Sequence, residues 1–589
     1  MRSAWPERTT VIDALDRCTL IQALERYTRI LSDQPRPTNL LIARLFEEIA
    51  QSLEVAGEQG HRMRAYRRAA RSLAALTEPL ETLAADGHLR EIPYVGASLA
   101  ALIEEFLSTG GIRTHARLTA EHPPGLAPLL QARGFGPAKV ESLHAALGIA
   151  NLDDVERAGQ DGRLADTLGQ RRADELLAEL PVLRKPVRAL RLKSAWEEVH
   201  LLLDQLPRGT SIHVAGQARR GCDMVIGGLD LVAQTRTPER LLDHVAALPS
   251  VVDVLERTPE RIAVLLYDRL EVRLTVASED AFGTAMVLLT GSSRHLARLR
   301  QLSTELPRCR TEQELYARLG LPWIPPELRE DDGEIEAALD GALPRLVQQS
   351  DLKGDLHCHT LWTDGSESLE AMARAARSRG YAYMALTDHS RSLTITNGLS
   401  IERLEEARRH VQQLNHALAP FVILLGTEMD ILQDGSLDYP DDVLSTLDYV
   451  SASVHSRFKQ AGPVMTERIL RAVRHPLVRT LNHPHGRLLG ARPAYAVDMP
   501  LVIETAARVG CAMEVSGDPA RMDLDGGWAR RVKAAGGRCT ISSDAHSTLD
   551  YDNIWLGVAS ARRGWLEPQD VLNTRPLEEL RALLARRLE

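Results

Sequence analysis

From about residue 348 the chain alternates short apolar runs with helical stretches, and nearly every apolar run ends on a histidine, aspartate or glutamate. GDLHCHT, YMALTDH, FVILLGTEMD, YVSASVHS, NHPHG and SSDAH are separated by amphipathic segments such as 368–379 and 401–416. Strands alternating with helices predict parallel βαβ units and, at this number, a barrel. In such barrels the carboxyl edge of the sheet gathers side chains from distant parts of the sequence into one site. Residues two apart on a strand share a face. His357 and His359 therefore point together, with Cys358 turned the other way.

Nine candidate ligands fall at this edge: His357, His359, Asp364, His389, Glu428, His455, His483, Asp544 and His546. A single HxH or SDAH is weak, because isolated histidines are more often surface or core residues. Together the nine would bury many polar groups at ~1–3 kcal/mol per unsatisfied group, unless cations satisfy them. Imidazoles and carboxylates without a thiolate suit Mn²⁺, Zn²⁺ or Fe²⁺ better than an all-oxygen Mg²⁺ site.

The remainder of the 589 residues is of another kind, and the length predicts about three to five domains. Residues 1–36, ending in SDQPRP, read as a helical extension. From 37 to 187 the chain is dense in Ala, Leu, Arg and Glu with helical periodicity, which predicts an all-α region. Alternating runs (TSIHVAG, LDLVAQT, IAVLLYD, LEVRLTV) predict an α+β domain over 188–276, and helices follow to 347. Six scattered cysteines carry no CxxC pair and predict reduced thiols. No apolar run approaches the ~18 residues of a membrane span, and the start carries no secretory pattern, so a cytoplasmic protein with no membrane role is expected. The net charge of −9 is spread evenly, with 28 basic against 31 acidic residues from 351 onward and 43 against 49 before it. That balance alone disfavours a nucleic-acid partner. Divalent ions, however, would outweigh the charge of Asp364, Glu428 and Asp544 and leave the site cationic.

The succession GDLHCHT, TDG, LTDH, GTEMD, SVHS, HPHG and SSDAH resembles the PHP (polymerase and histidinol phosphatase) phosphoesterases over about 351–575. The resemblance implies a distorted (β/α)7 barrel with up to three divalent ions: one on His357, His359, Glu428 and Asp544, a second on Glu428, His455 and His483, and a third on Asp364, His389 and His546. Such ions lower the pKa of bound water and stabilise charge on a leaving oxygen. Arg487 and Arg521 follow strand-end motifs and are candidates to fork onto phosphate. His485 receives no role.

RLGLPWIPPELREDDGEIEAALDGALPRLV, immediately before GDLHCHT, resembles the junction in bacterial family X DNA polymerases that carry a PHP domain. LLIARLFEEIAQSLEVAGEQGHRMRAYRRAARSL resembles that family's small amino-terminal domain, and AFGTAMVLLTGSSRHLARLR its palm-to-thumb segment. The implied organisation is a small helical domain at 37–115, a fingers-like helical domain at 116–187, a nucleotidyltransferase-like palm at 188–276, a thumb at 277–347 and the PHP domain at 348–589. Each helical domain holds a helix-hairpin-helix candidate. LQARGFGPAKVESL has Gly134 and Gly136, whereas IPYVGASLAALI keeps Gly96 but has Tyr94 for the first glycine. Backbone N–H groups at such helix starts hold DNA phosphates. Arg64, Arg67, Arg68 and Arg71 share a helix face that would track phosphate. Ser98 and Leu102 stand where a deoxyribose-phosphate lyase lysine is expected, so that activity is expected to be absent.

The palm departs from the family. Nucleotidyl transfer uses a DxD pair and a further Asp to hold two Mg²⁺ or Mn²⁺ ions. Here the pair reads Gly228-Leu229-Asp230, Gln217 replaces the serine of the GSxRR turn, and Glu271 stands for the later Asp. Asp230 and Glu271 are thus a remnant site, with Asp223 a poorly placed substitute. The expectation is a DNA repair protein whose PHP domain is a Mn²⁺-stimulated 3′–5′ exonuclease, with abasic-site cleavage as a further activity, and whose palm binds gapped DNA but polymerises weakly or not at all. The alternatives are a gap-filling polymerase using deoxynucleotide triphosphates with an editing exonuclease, a small-molecule phosphatase of the histidinol-phosphate type, and a non-catalytic DNA-binding scaffold.

Overall fold

The computed structural model describes residues 37–585, apart from 59–60, 77, 133, 184–188, 207–209, 249 and 267–269. The expected extension at 1–36 lies outside the described residues, as does the expected border at 187/188. Helices Pro37–Val55 and His61–Ala75 pack through Ile42, Phe46, Ile49 and Leu53 against Tyr66, Ala69, Ala70 and Leu73. The helical spacing of these apolar residues gives each helix one buried stripe. Helices Ala97–Thr109 and Pro137–Leu147 each begin after a short loop, and a second cluster about Leu129, Val140 and Val155 supports the latter.

The middle region contains β1 (Leu190–Arg191), β2 (Ser211–Val214), β3 (Met224–Val225), β4 (Leu229–Gln234), β5 (Val251–Arg257), β6 (Arg261–Leu266) and β7 (Glu271–Ala277). β1 pairs with β3, and the other five form one mixed sheet in the order β2-β4-β7-β6-β5. Sequence reading missed β5. Its run VVDVLER is mostly exposed at the sheet edge, so only one side of it is read by an apolar partner. Helices Phe282–Thr290, Ser293–Leu302, Glu312–Arg318 and Glu334–Leu339 surround a cluster about Leu315, Tyr316 and Ile324.

Seven strands follow: β8 (Gly354–Asp355), β9 (Tyr383–Leu386), β10 (Val422–Asp430), β11 (Tyr449–Ser453), β12 (Thr480–Leu481), β13 (Ala512–Ser516) and β14 (Cys539–Ser542). Each pairs in parallel with its sequence neighbour. The His359 N–H donates to the carbonyl of Ala545 (2.8 Å) and the Ala545 N–H to that of His357 (3.3 Å), which closes the barrel. Alternation along the strands then decides the chemistry of the interior. At the amino end Tyr383, Ala385, Leu424, Tyr449 and Ala512 form an apolar plug, capped by Leu580 and Leu584 of the helix Leu577–Ala585. Two and four residues further along, the same alternation brings Glu428, Ser451, Ser453 and Glu514, all buried. Barrel residues Leu489, Met522, Leu556 and Ala559 pack into the core of the mixed sheet, and Trp555 meets Trp196 edge-on at 6.3 Å. Among the described residues no helix is long and apolar enough to cross a membrane.

Candidate metal centre

Glu428 is buried at the end of β10, and its two oxygens divide five imidazoles between them. Oε1 faces Nε2 of His483 (2.8 Å) and of His455 (3.3 Å); Oε2 faces Nδ1 of His389 (3.0 Å) and Nε2 of His357 (3.5 Å) and His359 (3.6 Å). Asp544 Oδ1 lies 3.4 Å from His357 Nε2 and 3.3 Å from His359 Nε2. Asp364 Oδ2 lies 3.3 Å from His389 Nε2 and 3.4 Å from His546 Nε2.

All nine candidate ligands thus meet at the carboxyl edge, where three groups of ligand atoms lie close together. Ligand atoms cluster as His357–His359–Asp544, as His359–Asp364–His389–His546 and as His389–Glu428–His455. His359 and His389 each face two clusters because their rings stack at 4.5 Å between them. The His483 ring meets Glu428 Oε1, while Glu428 Oε2 also faces His357 and His359 of the first group.

Several ring nitrogens here are buried without a hydrogen-bond partner: Nε2 of His357, both nitrogens of His359, and Nδ1 of His389 and of His455. They reach carboxylates at 3.0–3.6 Å but outside hydrogen-bond geometry. Buried polar atoms are otherwise almost always paired. Cations between the imidazole lone pairs and the carboxylates fit this donor set. Burial, then the neighbouring His546 and His389, lower His359 to about 3, so its lone pair is free for a ligand bond. Burial opposes protonation of His389 as well, but Glu428 and Asp364 outweigh it and raise that group to about 10. The backbones of His483 (φ 28°) and Asp544 (φ 54°) are left-handed, a strain of ~1–3 kcal/mol that local structure must hold.

Supporting carboxylates escaped the sequence reading. Glu514 on β13 accepts from His357 Nδ1 (2.7 Å) and from the His483 N–H (2.7 Å), fixing one ring and one backbone. Asp355, raised to about 6 by burial, accepts from the His357 and Ser543 N–H groups. Asp388, also raised to about 6 by burial, holds Thr360 through its N–H (2.9 Å) and hydroxyl (2.6 Å). Asp430 stands 3.6 Å from His455 Nδ1. A charge interrupting an apolar run, as in CAMEVSG, was the available signal for Glu514.

The two candidate phosphate arginines part company. Arg521 Nε lies 3.5 Å from Asp544 and 3.2 Å from Asp518, beside the cluster. Arg487 is not aimed there. Its guanidinium contacts Asp223 (2.8 Å) and donates to the carbonyls of Arg521 (3.1 Å) and Met522, so it is a structural link. Asp223 is thereby occupied as well.

In the mixed sheet Asp230 and Glu271 meet at one guanidinium. Arg273 donates to Asp230 through Nε (2.6 Å) and Nη2 (3.1 Å) and to Glu271 through Nη1 (3.0 Å). Gly228 has φ 99°, and a Cβ there would collide with the carbonyl of Glu271. The loop has taken a course that an aspartate at 228 could not share. The Gln217 amide closes this loop by bonding both backbone groups of Ile226, at 2.9 and 3.2 Å. Arg220, buried, is turned to Glu330 (2.9 Å) and the Thr290 carbonyl (2.7 Å).

The two hairpin loops are alike in backbone. Tyr94 (φ 62°) and Gly134 (φ 77°) are both left-handed, and Gly96 and Gly136 both cap the following helix in extended conformation. The helix face bearing the arginines is partly interior. Arg67 pairs with Glu47 (3.3 Å) and Glu54 (2.6 Å). Arg68 lies 4.0 Å from Glu197 and 5.4 Å over the Tyr94 ring, whereas Arg64 is half-buried. The side chain of Arg71 lies outside the described residues.

Comparison with known proteins gives three family matches: a helix-hairpin-helix domain over residues 37–112, a DNA polymerase beta thumb over 303–330 and a PHP domain over 355–495. The DNA polymerase/3′-5′ exonuclease PolX of Bacillus subtilis (strain 168) is 34% identical over 572 residues, covering 92% of this chain and 99% of that protein. The chain belongs to the PHP-bearing bacterial family X DNA polymerases. A probable phosphatase of Thermoanaerobacter sp. (strain X514) is 26% identical over 235 residues, which is 37% of this family X chain and 89% of the phosphatase. Similarity to the polymerase thus spans nearly the whole family X chain, while similarity to this phosphatase is confined to a part of it.

Proposed function

We propose that this family X protein acts on DNA mainly as a metal-dependent 3′–5′ exonuclease through its PHP domain, and that its palm binds DNA with weak or no polymerase activity. The observation that carries the reading is the set of orphaned imidazole nitrogens around Glu428, Asp544 and Asp364. His357, His359, Asp364, His389, Glu428, His455, His483, Asp544 and His546 would hold up to three Mn²⁺ or Zn²⁺ ions. Such ions, when bound, polarise the phosphodiester and acidify water at neutral pH. The chain's own residues do the rest. Arg521, beside Asp544, orients a phosphate oxygen; Glu514 holds the His357 ring and the His483 backbone; the buried barrel interior excludes bulk water.

DNA binding is supported by the hairpin loops, in which Gly96 and Gly136 begin a helix and nothing lies within 4 Å of where a side chain would stand. Gapped or 3′-ended repair intermediates are the proposed substrates. The test is a Mn²⁺ titration of nuclease activity on 3′-labelled gapped DNA, with and without deoxynucleotide triphosphates. Removal of 3′ nucleotides, abolished in His357→Ala and His455→Ala, supports the reading. Release of phosphate from small esters without oligonucleotide cleavage overturns it.

One observation favours a working polymerase: Asp230 and Glu271 still share a single neighbourhood in the palm, released if Arg273 swings away. Primer extension that Asp230→Ala abolishes would establish that second activity.

A further inference from the structure

Two loops at the carboxyl edge of the barrel border Asp544. The first, 483–490, begins at His483; the second, 518–523, carries Arg521. They are laced together. The Leu489 N–H donates to the Ala520 carbonyl (2.7 Å), Arg487 to the carbonyls of Arg521 (3.1 Å) and Met522, and the His485 N–H to Asp523 Oδ2 (3.0 Å).

The palm grips this lacing from its far side. Arg191 donates to the Leu489 carbonyl through both Nε (3.0 Å) and Nη2 (2.7 Å), and Asp223 Oδ2 lies 2.8 Å from Arg487 Nη1. The side chains of Leu489 and Met522 belong to the palm's own apolar core. Asp525 Oδ2 stands 3.5 Å from the same Arg487 nitrogen. Without Asp223, the carboxylate left at that nitrogen is Asp525.

We propose that Asp223 and Arg191 are positioning residues for the nuclease: from the palm, they hold the two barrel loops in the register that aims Arg521 at the substrate phosphate. The inference rests on the phosphodiesterase reading given above. A displacement of about 1 Å in a positioning group costs on the order of a hundredfold in rate. Asp223 reaches Arg521 through one intervening residue, Arg487, which binds its backbone carbonyl.

The test is a double-mutant cycle in the full-length protein. Asp223→Asn and Arg521→Ala are made singly and together, with Asp223→Glu and Arg191→Lys as milder variants. Glu327→Gln, which breaks the Arg562–Glu327 pair (2.7 Å) between barrel and thumb, is the control. Two readouts are taken with Mn²⁺: kcat and KM on a 3′-labelled oligonucleotide, and the dissociation constant of thymidine 5′-monophosphate by calorimetry. Expected is a kcat loss of about tenfold or more for Asp223→Asn with KM within about twofold, a parallel weakening of the monophosphate, recovery in Asp223→Glu, and no further loss when Arg521 is already alanine. Arg191→Lys gives a smaller loss with the same dependence on Arg521, and Glu327→Gln leaves both readouts unchanged. Wild-type kcat in Asp223→Asn, or losses that multiply in the double variant, overturns the proposal. A wild-type protein that cleaves no DNA sinks the nuclease reading instead. The monophosphate cycle then decides the clamp alone, by the same non-additivity.

Discussion

Five imidazoles against the two oxygens of Glu428 make that carboxylate the residue whose loss spreads furthest. Glu428→Gln keeps the shape and removes the charge. It is expected to lower bound metal, measured by elemental analysis, and to reduce nuclease activity by about a hundredfold or more. Glu514→Gln acts one step removed, by freeing the His357 ring, and is expected to weaken metal affinity by roughly ten- to a hundredfold. The palm gives the opposite case. Gly228→Asp supplies the missing family carboxylate, yet is expected to destabilise by about 1–3 kcal/mol and to leave primer extension where it was, because φ at 228 is 99° and a Cβ there meets the Glu271 carbonyl. Recovery of extension would refute that. The sequence made the nine candidate ligands legible because nearly all lie at the end of an apolar run; it hid Glu514 because that residue lies within one. It also could not show what Arg67 and Arg487 pair with. Their partners, Glu47, Glu54 and Asp223, are brought by folding and not by local spacing.

At the level of elements, strand-helix alternation was enough to foresee the barrel, because its strands are buried on both faces and read as apolar runs. The edge strand β5 was not, being largely exposed. Nor could periodicity show that Tyr94 and Gly134 adopt the same left-handed backbone, since a tyrosine there pays a cost only a fold can impose. The thumb carries the clearest energetic prediction. Arg329, fully buried, pairs with Glu312 (2.7 Å), which also takes Arg219 of the palm. Burial pushes the Glu312 carboxyl up, but Arg329 and Arg219 outweigh it and hold the group well below its ordinary 4.5. Glu312→Gln leaves a buried guanidinium without its counter-charge and is expected to cost about 3–5 kcal/mol. A carboxylate depressed in the folded state stabilises fully above its unfolded pKa and loses that contribution as pH falls toward the folded value. The stability gap between wild type and Glu312→Gln, measured by denaturant midpoints, therefore stays constant above about pH 5 and narrows below about 4.5. A gap independent of pH would contradict the assignment.

Across the whole molecule, the barrel and the mixed sheet share one apolar core through Leu489, Met522, Leu556 and Ala559. A fragment of residues 348–589 would expose that patch. It is expected to melt several degrees below the intact chain and to bind a hydrophobic dye, checked by scanning calorimetry and fluorescence; equal melting temperatures would show that the barrel needs no neighbour. The shared core also bears on how such a chain can change over generations. Substitutions at Gln217 and Gly228 touch only the nucleotidyl-transfer loop, so that chemistry can decay one residue at a time. Leu489 and Met522 sit in both bodies at once, so deleting the mixed sheet would injure the barrel. Whatever chemistry the palm keeps, its apolar core holds it in place beside the barrel.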